Sequence, residues 1–242
     1  MYPTLLSWGP INIHAYGFFV ALAFIVGIAV HIHLIRKYGL YTEKVWDLAA
    51  LVIIFSIVGA RFFYVVFFWG NLNNFWEAFM IWRGGLVLQG GLVFCLATVA
   101  IFLIVKKIPF WKFFDVITPG MVLGYAIGRI GCFFNGCCYG CVTNVPWAVK
   151  FPYLSGMRHP TQLYASGIAF IMFIVLLFWL GKKKFDGQIF CIGLIYYNIY
   201  RFFIEFIRVN PKMLFNLTSA QIISVIGLVI SIWLYFYLRK KS

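Results

Sequence analysis

Acidic residues are scarce in this chain. Six Asp and Glu stand among 242 residues, and charged residues of both signs make up only 11%. A soluble domain carries roughly a quarter of its residues as charges, so a water-facing globular surface is excluded. Other signals are missing as well. The N-terminal MYPTLLSWGPINIHAYG has no positive run, and no small-residue cleavage site follows the next apolar stretch, so the first span is expected to stay in the mature protein. No basic patch carries the interleaved aromatics and polar surface of a single-strand binder, so no nucleic-acid partner is expected. There is no internal repeat, no low-complexity tract and no sign of a second domain, and residues 1–242 read as a single polytopic membrane domain.

What is present is oil: 64% of residues are hydrophobic and 21% aromatic. A membrane-spanning helix needs about 20 mostly apolar residues. Seven stretches meet that measure, near 14–35, 46–69, 86–105, 116–134, 163–180, 188–207 and 220–238. The predicted fold class is therefore an all-α integral membrane protein of seven transmembrane helices. Two connections are too long to be simple turns, around 70–85 and 136–160, and these are expected to form outward-facing loops with short helical elements. Trp8, Trp46, Trp69, Trp82 and Tyr237 fall near span ends, as in an aromatic belt, and His14, His31 and His33 read as interfacial or packing groups.

The excess of Lys and Arg sets the orientation. Of the 20 basic residues, twelve occupy one set of connections: Arg36, Lys37 and Lys44; Lys106, Lys107 and Lys112; Lys182 to Lys184; Arg239 to Lys241. Five occupy the other set: Arg83, Lys150, Arg158, Arg208 and Lys212. This asymmetry predicts an outside N-terminus, a cytoplasmic C-terminus, and both long loops on the outer side.

Three arginines remain, Arg61, Arg129 and Arg201, each inside a predicted span. A guanidinium at the bilayer centre costs about 2.5 to 3.5 kcal/mol on insertion scales and is expected to face the protein interior beside a partner. Arg201 has Glu205 at i, i+4, and Arg208 shares the same helical face, so one acid would serve two bases. Asp47 and Asp115 are candidate partners for another arginine, but both lie at the opposite, cytoplasmic ends of their spans. Arg129 is left over. An anion from outside the protein is its natural partner, and guanidinium forks match phosphate oxygens bidentately, which points to a phospholipid head group. Gly128, Gly131, Gly136 and Gly140 surround Arg129, and Gly84, Gly85, Gly90 and Gly91 surround Gln89; such glycines let backbone approach a ligand or a neighbouring helix.

The run GRIGCFFNG at 128–136 resembles the signature of the prolipoprotein diacylglyceryl transferases. Further pieces are similar in order: IHAYG at 13–17, RGGLVLQGG at 83–91, VTNVPWAVKFP at 142–152, RHPTQLYAS at 158–166 and YNIYRFFIEFIR at 197–208. The resemblance covers nearly the whole chain. It implies an enzyme of the bacterial cytoplasmic (inner) membrane that moves the diacylglyceryl group of phosphatidylglycerol to the lipobox cysteine of a preprolipoprotein, with release of glycerol 1-phosphate. It also implies an active site toward the outer leaflet. The lipid, the lipobox segment and the bilayer are then the partners; no cofactor and no metal are expected, and the chain is read as a monomer. By position, Arg129 and Arg201 would be the essential head-group arginines. Tyr16, Gln89, Asn135, Gly140, Tyr197, Glu205 and Arg208 would line or brace the site.

Two departures from the family pattern bear on mechanism. Gln89 stands where many members have His, and Gln takes no proton at neutral pH. Cys132 and Cys137 stand where Asn and an acidic residue are common. Activation of the incoming thiol is then assigned to the field of the arginines, with His159 or Glu205 as alternatives.

Four cysteines, Cys132, Cys137, Cys138 and Cys141, crowd this stretch, with one C-x-x-C at 138–141. No second spaced pair accompanies it, so a structural disulfide is the expectation rather than zinc. Two rival functions use the same residues. A membrane thiol oxidoreductase would need the cysteines and not the arginines, and an anionic lipid or solute transporter would use the arginines without forming a thiol-linked product.

Overall fold

The computed structural model describes residues 4–8, 11–40, 43–71, 74–80, 84–85, 87–211 and 216–242. Trp82, Arg83, Leu86 and Lys212 of the sequence reading lie outside these. Helices dominate: α1 (Ala15–Lys37), α2 (Glu43–Phe67), α3 (Leu88–Val105), α4 (Phe110–Asn135), α5 (Thr161–Leu180), α6 (Gln188–Ile204) and α7 (Ser219–Lys241). Six of them are long and apolar enough to cross a membrane, and α3 is a shorter apolar helix. At 1.5 Å per residue its 18 residues reach about 27 Å, close to the thickness of a bilayer core.

The seven expected spans correspond to these helices with shifted ends. Helix α4 begins at Phe110, six residues before the apolar run suggested, because Trp111, Lys112 and Asp115 occupy its first turns without breaking it. Helix α7 continues to Lys241, and its basic last turn, Arg239 to Lys241, complements the carbonyl end of the helix dipole. A hairpin precedes α1 that the sequence reading did not contain: β1 (Thr4–Trp8) pairs antiparallel with β2 (Ile11–His14), Trp8 opposite Ile11. Within the loop after α4, β3 (Val149–Lys150) and β4 (Met157–Arg158) pair antiparallel.

The chain divides into two compact units, residues 1–34 with 114–242 and residues 35–113, whose borders fall inside α1 and α4. In the larger unit, α5 shows how a mostly apolar helix sorts its faces. Ala165, Ala169, Met172, Leu176 and Leu180 recur at helical spacing and are buried, whereas Phe170, Ile171, Ile174 and Phe178 between them are exposed as lipid contacts would be. Helices α4 and α6 meet at Gly193, where an added Cβ would come within 2.8 Å of Thr118 Cγ2. His31 of α1 bonds through Nε2 to the Ile117 carbonyl at 2.9 Å and packs on Gly120, so it is a packing group, as expected.

Asp115, fully buried, joins α4 to the start of α6. Its carboxylate accepts the Gly187 and Phe190 N–H groups at 2.8 and 3.0 Å, and Lys183 Nζ at 2.8 Å. A carboxylate at a helix N-terminus satisfies free amides and opposes the positive dipole end. Burial disfavours the Lys183 ammonium, but its contacts with Asp115 and Asp186 outweigh that, and its pKa is raised. Asp115 thus pairs with a lysine and not with an intramembrane arginine. A capping box closes the start of α7: Thr218 N–H donates to Gln221 Oε1 and Gln221 N–H to Thr218 Oγ1.

In the smaller unit, α2 and α3 approach closely at small residues. A Cβ on Gly90 would lie 2.3 Å from the Gly59 carbonyl oxygen, and one on Gly91 3.1 Å from that of Ser56. Arg61 is only 7% exposed; its guanidinium lies over the Tyr64 ring, 5.0 Å from the centroid, and its described hydrogen bonds all go to backbone carbonyls. Its Nε donates to the Ala78 carbonyl at 2.9 Å, Nη1 to those of Gly84 and Gly85 at 2.6 and 2.9 Å, and Nη2 to that of Glu77. The loop after α2 is wrapped around this guanidinium. Gly85 has φ +75°, and a side chain there would strike Tyr64 and Arg61.

Candidate functional site

Helix α4 ends at Asn135 because Gly136 adopts a left-handed conformation, φ +73°. Gly136 N–H then bonds the Phe133 carbonyl at 3.1 Å and Cys137 N–H the Cys132 carbonyl at 3.2 Å. This is the Schellman pattern, which reverses the chain over the last helical turn. The loop that follows is held from three sides. Thr161 Oγ1 donates to the Cys138 carbonyl and Gln162 Nε2 to that of Cys137, each at 2.6 Å. Phe151, 1% exposed, sits against the rings of Phe133 and Tyr139.

Gly140 is the knot of the region. Its N–H bonds the His159 carbonyl at 3.0 Å, it forms a bridge with Arg208, and its carbonyl accepts Arg158 Nη1 at 3.4 Å. An added Cβ would lie 2.7 Å from both the Ile207 carbonyl oxygen and His159 Cβ. Only glycine allows the backbone after α4 to pass the end of α6 at this distance. Next to it, Cys141 N–H donates to the Ile207 carbonyl at 2.8 Å.

Arg129 lies six residues before the end of α4. Its guanidinium stands over the ring of Tyr125, 4.7 Å from the centroid, and among the described residues it has no carboxylate partner. The Tyr125 ring meets Tyr197 of α6 edge-on at 5.9 Å. One turn further along α6, Arg201 Nη1 donates to Glu205 Oε2 at 2.8 Å, Arg208 Nη1 stands 3.8 Å from the same oxygen, and Asn210 Nδ2 donates to Oε1. Glu205 is 3% exposed. Both its oxygens are engaged, so it braces Arg201 and Arg208. Arg129, Arg201 and Arg208 all exert their fields on Tyr197, and this corner of the molecule carries two more guanidiniums than carboxylates.

Tyr16, in the first turn of α1, is half exposed and interacts electrostatically with Arg129, Cys132, Cys137 and Cys138. Gly131 lets α4 approach it: a Cβ there would lie 2.8 Å from Phe19 Cβ and 3.5 Å from the Tyr16 carbonyl. Gly128 faces open space on the next turn. Asn135 is exposed. His159 Nδ1 lies 3.2 Å from the Tyr164 hydroxyl, which also receives the Trp147 indole N–H at 2.6 Å. Gln89 belongs to α3, in the other unit, and is exposed. The sequence reading thus named Tyr16, Arg129, Tyr197, Arg201, Glu205 and Arg208, which the larger unit does gather.

Two features were missed. Tyr125 is the surface on which Arg129 rests, and the i, i+4 spacing of Tyr and Arg on α4 was the available signal. Beside it, an apolar cavity of about 180 Å³ opens between α4, α5 and α6, with Met121, Tyr125, Met172, Leu194, Tyr197 and Tyr200 among its walls. It places an apolar slot against a cationic corner, the division of an amphiphile with an anionic head.

The six cysteines are all free thiols in this structure, so the expected disulfide is not formed. The Cys138 thiol is pulled down to about 5, chiefly by a sulfur contact with Cys132 and further by the charges of Arg208 and Arg129.

The sequence model of the prolipoprotein diacylglyceryl transferases matches residues 3–237. Among similar proteins, the phosphatidylglycerol–prolipoprotein diacylglyceryl transferase of Clostridioides difficile (strain 630) is 38% identical over 234 residues, covering 96% of this chain and 93% of the relative. Transferases of the same name from Prochlorococcus marinus (strain NATL1A) and Trichormus variabilis are each 33% identical, covering 99% of this chain and 92% and 91% of their own lengths. With near-complete coverage on both sides, and with the motif residues standing where the fold gathers its arginines, this chain belongs to the prolipoprotein diacylglyceryl transferase family.

Proposed function

We propose that the chain transfers the diacylglyceryl group of phosphatidylglycerol to the lipobox cysteine of a preprolipoprotein, with Arg129 and Arg201 as the head-group arginines. One observation carries the reading: Arg129 lies within an apolar helix, supported by an aromatic ring and, among the described residues, by no carboxylate. An anion with bidentate oxygens is the partner it lacks. In the reaction the lipobox thiolate attacks the glycerol carbon that bears the phosphate ester. A carbon–sulfur bond forms, the carbon–oxygen bond breaks, and glycerol 1-phosphate departs with the bonding pair. The thiol proton passes to water.

The arginines serve two steps in this scheme. Their field favours the thiolate over the thiol, and their N–H groups stabilise the charge that gathers on the departing phosphate. Arg201 is held by Glu205, and Arg208 by the same acid and the bridge to Gly140, so the cationic corner is preorganised. Gln89 contributes hydrogen bonding and no proton transfer. Tyr16, Asn135 and Tyr197 line the approach.

The scheme places the active site toward the outer leaflet of a bacterial cytoplasmic membrane, with the N-terminus outside and the C-terminus in the cytoplasm, on the strength of the Lys and Arg asymmetry. The chain is then read as a single polytopic membrane domain in a monomeric enzyme. The test is to incubate the purified protein with phosphatidylglycerol and a lipobox peptide and to weigh the products. Appearance of diacylglyceryl peptide with an equal amount of glycerol 1-phosphate supports the reading; an unmodified peptide in a folded, lipid-loaded sample contradicts it.

A further inference from the structure

The C-x-x-C of the sequence directs attention to Cys138 and Cys141, but the fold gathers a different set. The sulfurs of Cys132, Cys137 and Cys138 all lie within 4.8 Å of one another, and Cys141 is not in this group. The helix end explains why. In a Schellman turn the third residue from the C-cap and the second residue beyond it are brought side by side; here those residues are Cys132 and Cys137. Cys138 follows in the left-handed region, φ +63°, an uncommon conformation for a residue with a Cβ.

We propose that Cys132, Cys137 and Cys138 form a binding site for a thiophilic d10 cation, Zn2+ or Cu+, held by three thiolates. Thiolates bound to one metal at about 2.3 Å in tetrahedral geometry stand about 3.8 Å apart, so the cluster has at most about an ångström to close. The donor set is sulfur alone, which selects soft cations over Mg2+ or Ca2+. The site is also built from outside. Thr161 and Gln162, 2% and 1% exposed, pin the Cys138 and Cys137 carbonyls. Gln162 keeps a buried Oε1 without a hydrogen-bond partner among the described residues, beside the amide that holds Cys137. Three thiolates around a mono- or divalent cation leave net negative charge, and Arg129 and Arg208 lie within electrostatic reach to balance it. Each thiol loses its proton to solvent as its sulfur–metal bond forms, so affinity rises with pH. No electron transfer is involved, and the site is independent of the transferase reading.

The test uses the full chain in detergent micelles, reduced, stripped with a chelator and titrated with Cd2+. The expected result is one Cd2+ per chain, a sulfur-to-cadmium charge-transfer band and a raised thermal midpoint. Cys132→Ser, Cys137→Ser and Cys138→Ser should each weaken binding at least about tenfold, since even an outer-shell loss costs 10- to 100-fold. Cys95→Ser, Cys141→Ser and Cys191→Ser should bind as the native chain does. Where a serine variant does not fold, alkylation of the native protein decides: bound Cd2+ should protect Cys132, Cys137 and Cys138 from iodoacetamide and leave Cys141 open to it. Repeating the titration with Zn2+ and Cu+ in competition identifies the preferred ion. Absence of the band while all six thiols titrate freely would overturn the proposal, and so would equal weakening by the Cys141 variant or a disulfide among the three that persists in reductant.

Discussion

Arg61 and Arg129 carry the same charge within apolar helices, and the protein treats them in opposite ways. Both lie over a tyrosine ring, but Arg61, in the smaller unit, is also enclosed by the carbonyls of Glu77, Ala78, Gly84 and Gly85. Its hydrogen-bonding capacity is spent on the loop it organises, and a ligand would have to displace backbone to reach it. Arg129, in the larger unit, rests on Tyr125. An aromatic face offsets part of the cost of burying a cation but accepts none of its N–H groups in the ring plane. Arg201 stands between these cases, tied to Glu205 yet on the same side as Tyr197. On the proposed reading, the difference lies in how the fold uses each arginine's donors; position in the span does not separate the two cases.

That contrast is open to direct attack. The largest effect expected is on turnover by Arg129→Ala. Loss of one charge-stabilising donor costs about 2.7 to 4 kcal/mol in barrier, or 10²- to 10³-fold, so kcat with labelled phosphatidylglycerol should fall by that range. Arg129→Lys should recover little, because an ammonium lacks the planar fork. Thermal unfolding should be nearly unchanged in both.

Asp115→Ala should show the reverse pattern, since it leaves Lys183 and two helix-start amides without their acceptor. Breaking a buried pair costs about 3 to 5 kcal/mol, which differential calorimetry in micelles would register as a lower midpoint. The raised Lys183 pKa fixes the pH dependence. Its contribution is fully present below the ordinary lysine value and is lost as pH rises through the folded value, so the stability gap between native and variant should hold across neutral pH and narrow only in strong alkali.

Arg61→Ala comes next. Hydrogen bonds to a charged group are each worth about 1.5 to 3 kcal/mol, and release of four carbonyls should lower the midpoint and expose residues 74–80 to protease. Activity per folded molecule should suffer far less than in Arg129→Ala. The smallest effect is expected at Gln89. Gln89→His should be tolerated, and Gln89→Ala should slow transfer by no more than about tenfold, the worth of one neutral hydrogen bond; an inactive Gln89→Ala protein would assign it an essential role.

The helices were legible because composition and length alone decide a bilayer span. That Arg129 has no carboxylate partner among the described residues was legible too, because carboxylates are so few that their pairing is nearly determined by spacing. The partner of Arg61 was not, since backbone carbonyls leave no mark in the sequence and Asp115 was a plausible acid until α6 claimed it. The hairpin before α1 was hidden by apolar residues that continue into the first helix. The thiol cluster was obscured by its own motif: C-x-x-C reads as a pair, while the glycine at 136 folds Cys132 back onto Cys137 and Cys138 through a helix cap.

The account rests on the claim that the donors of Arg129 are reserved for a phosphate, and binding of glycerol 1-phosphate tests it without the chemistry. Titrated into native, Arg61→Ala and Arg129→Ala proteins and followed by phosphorus resonance, the ligand should bind native and Arg61→Ala alike. It should bind Arg129→Ala about 10- to 100-fold more weakly, the loss of a charge-assisted hydrogen bond. Equal affinity in Arg129→Ala, or a selective loss in Arg61→Ala, would contradict the account.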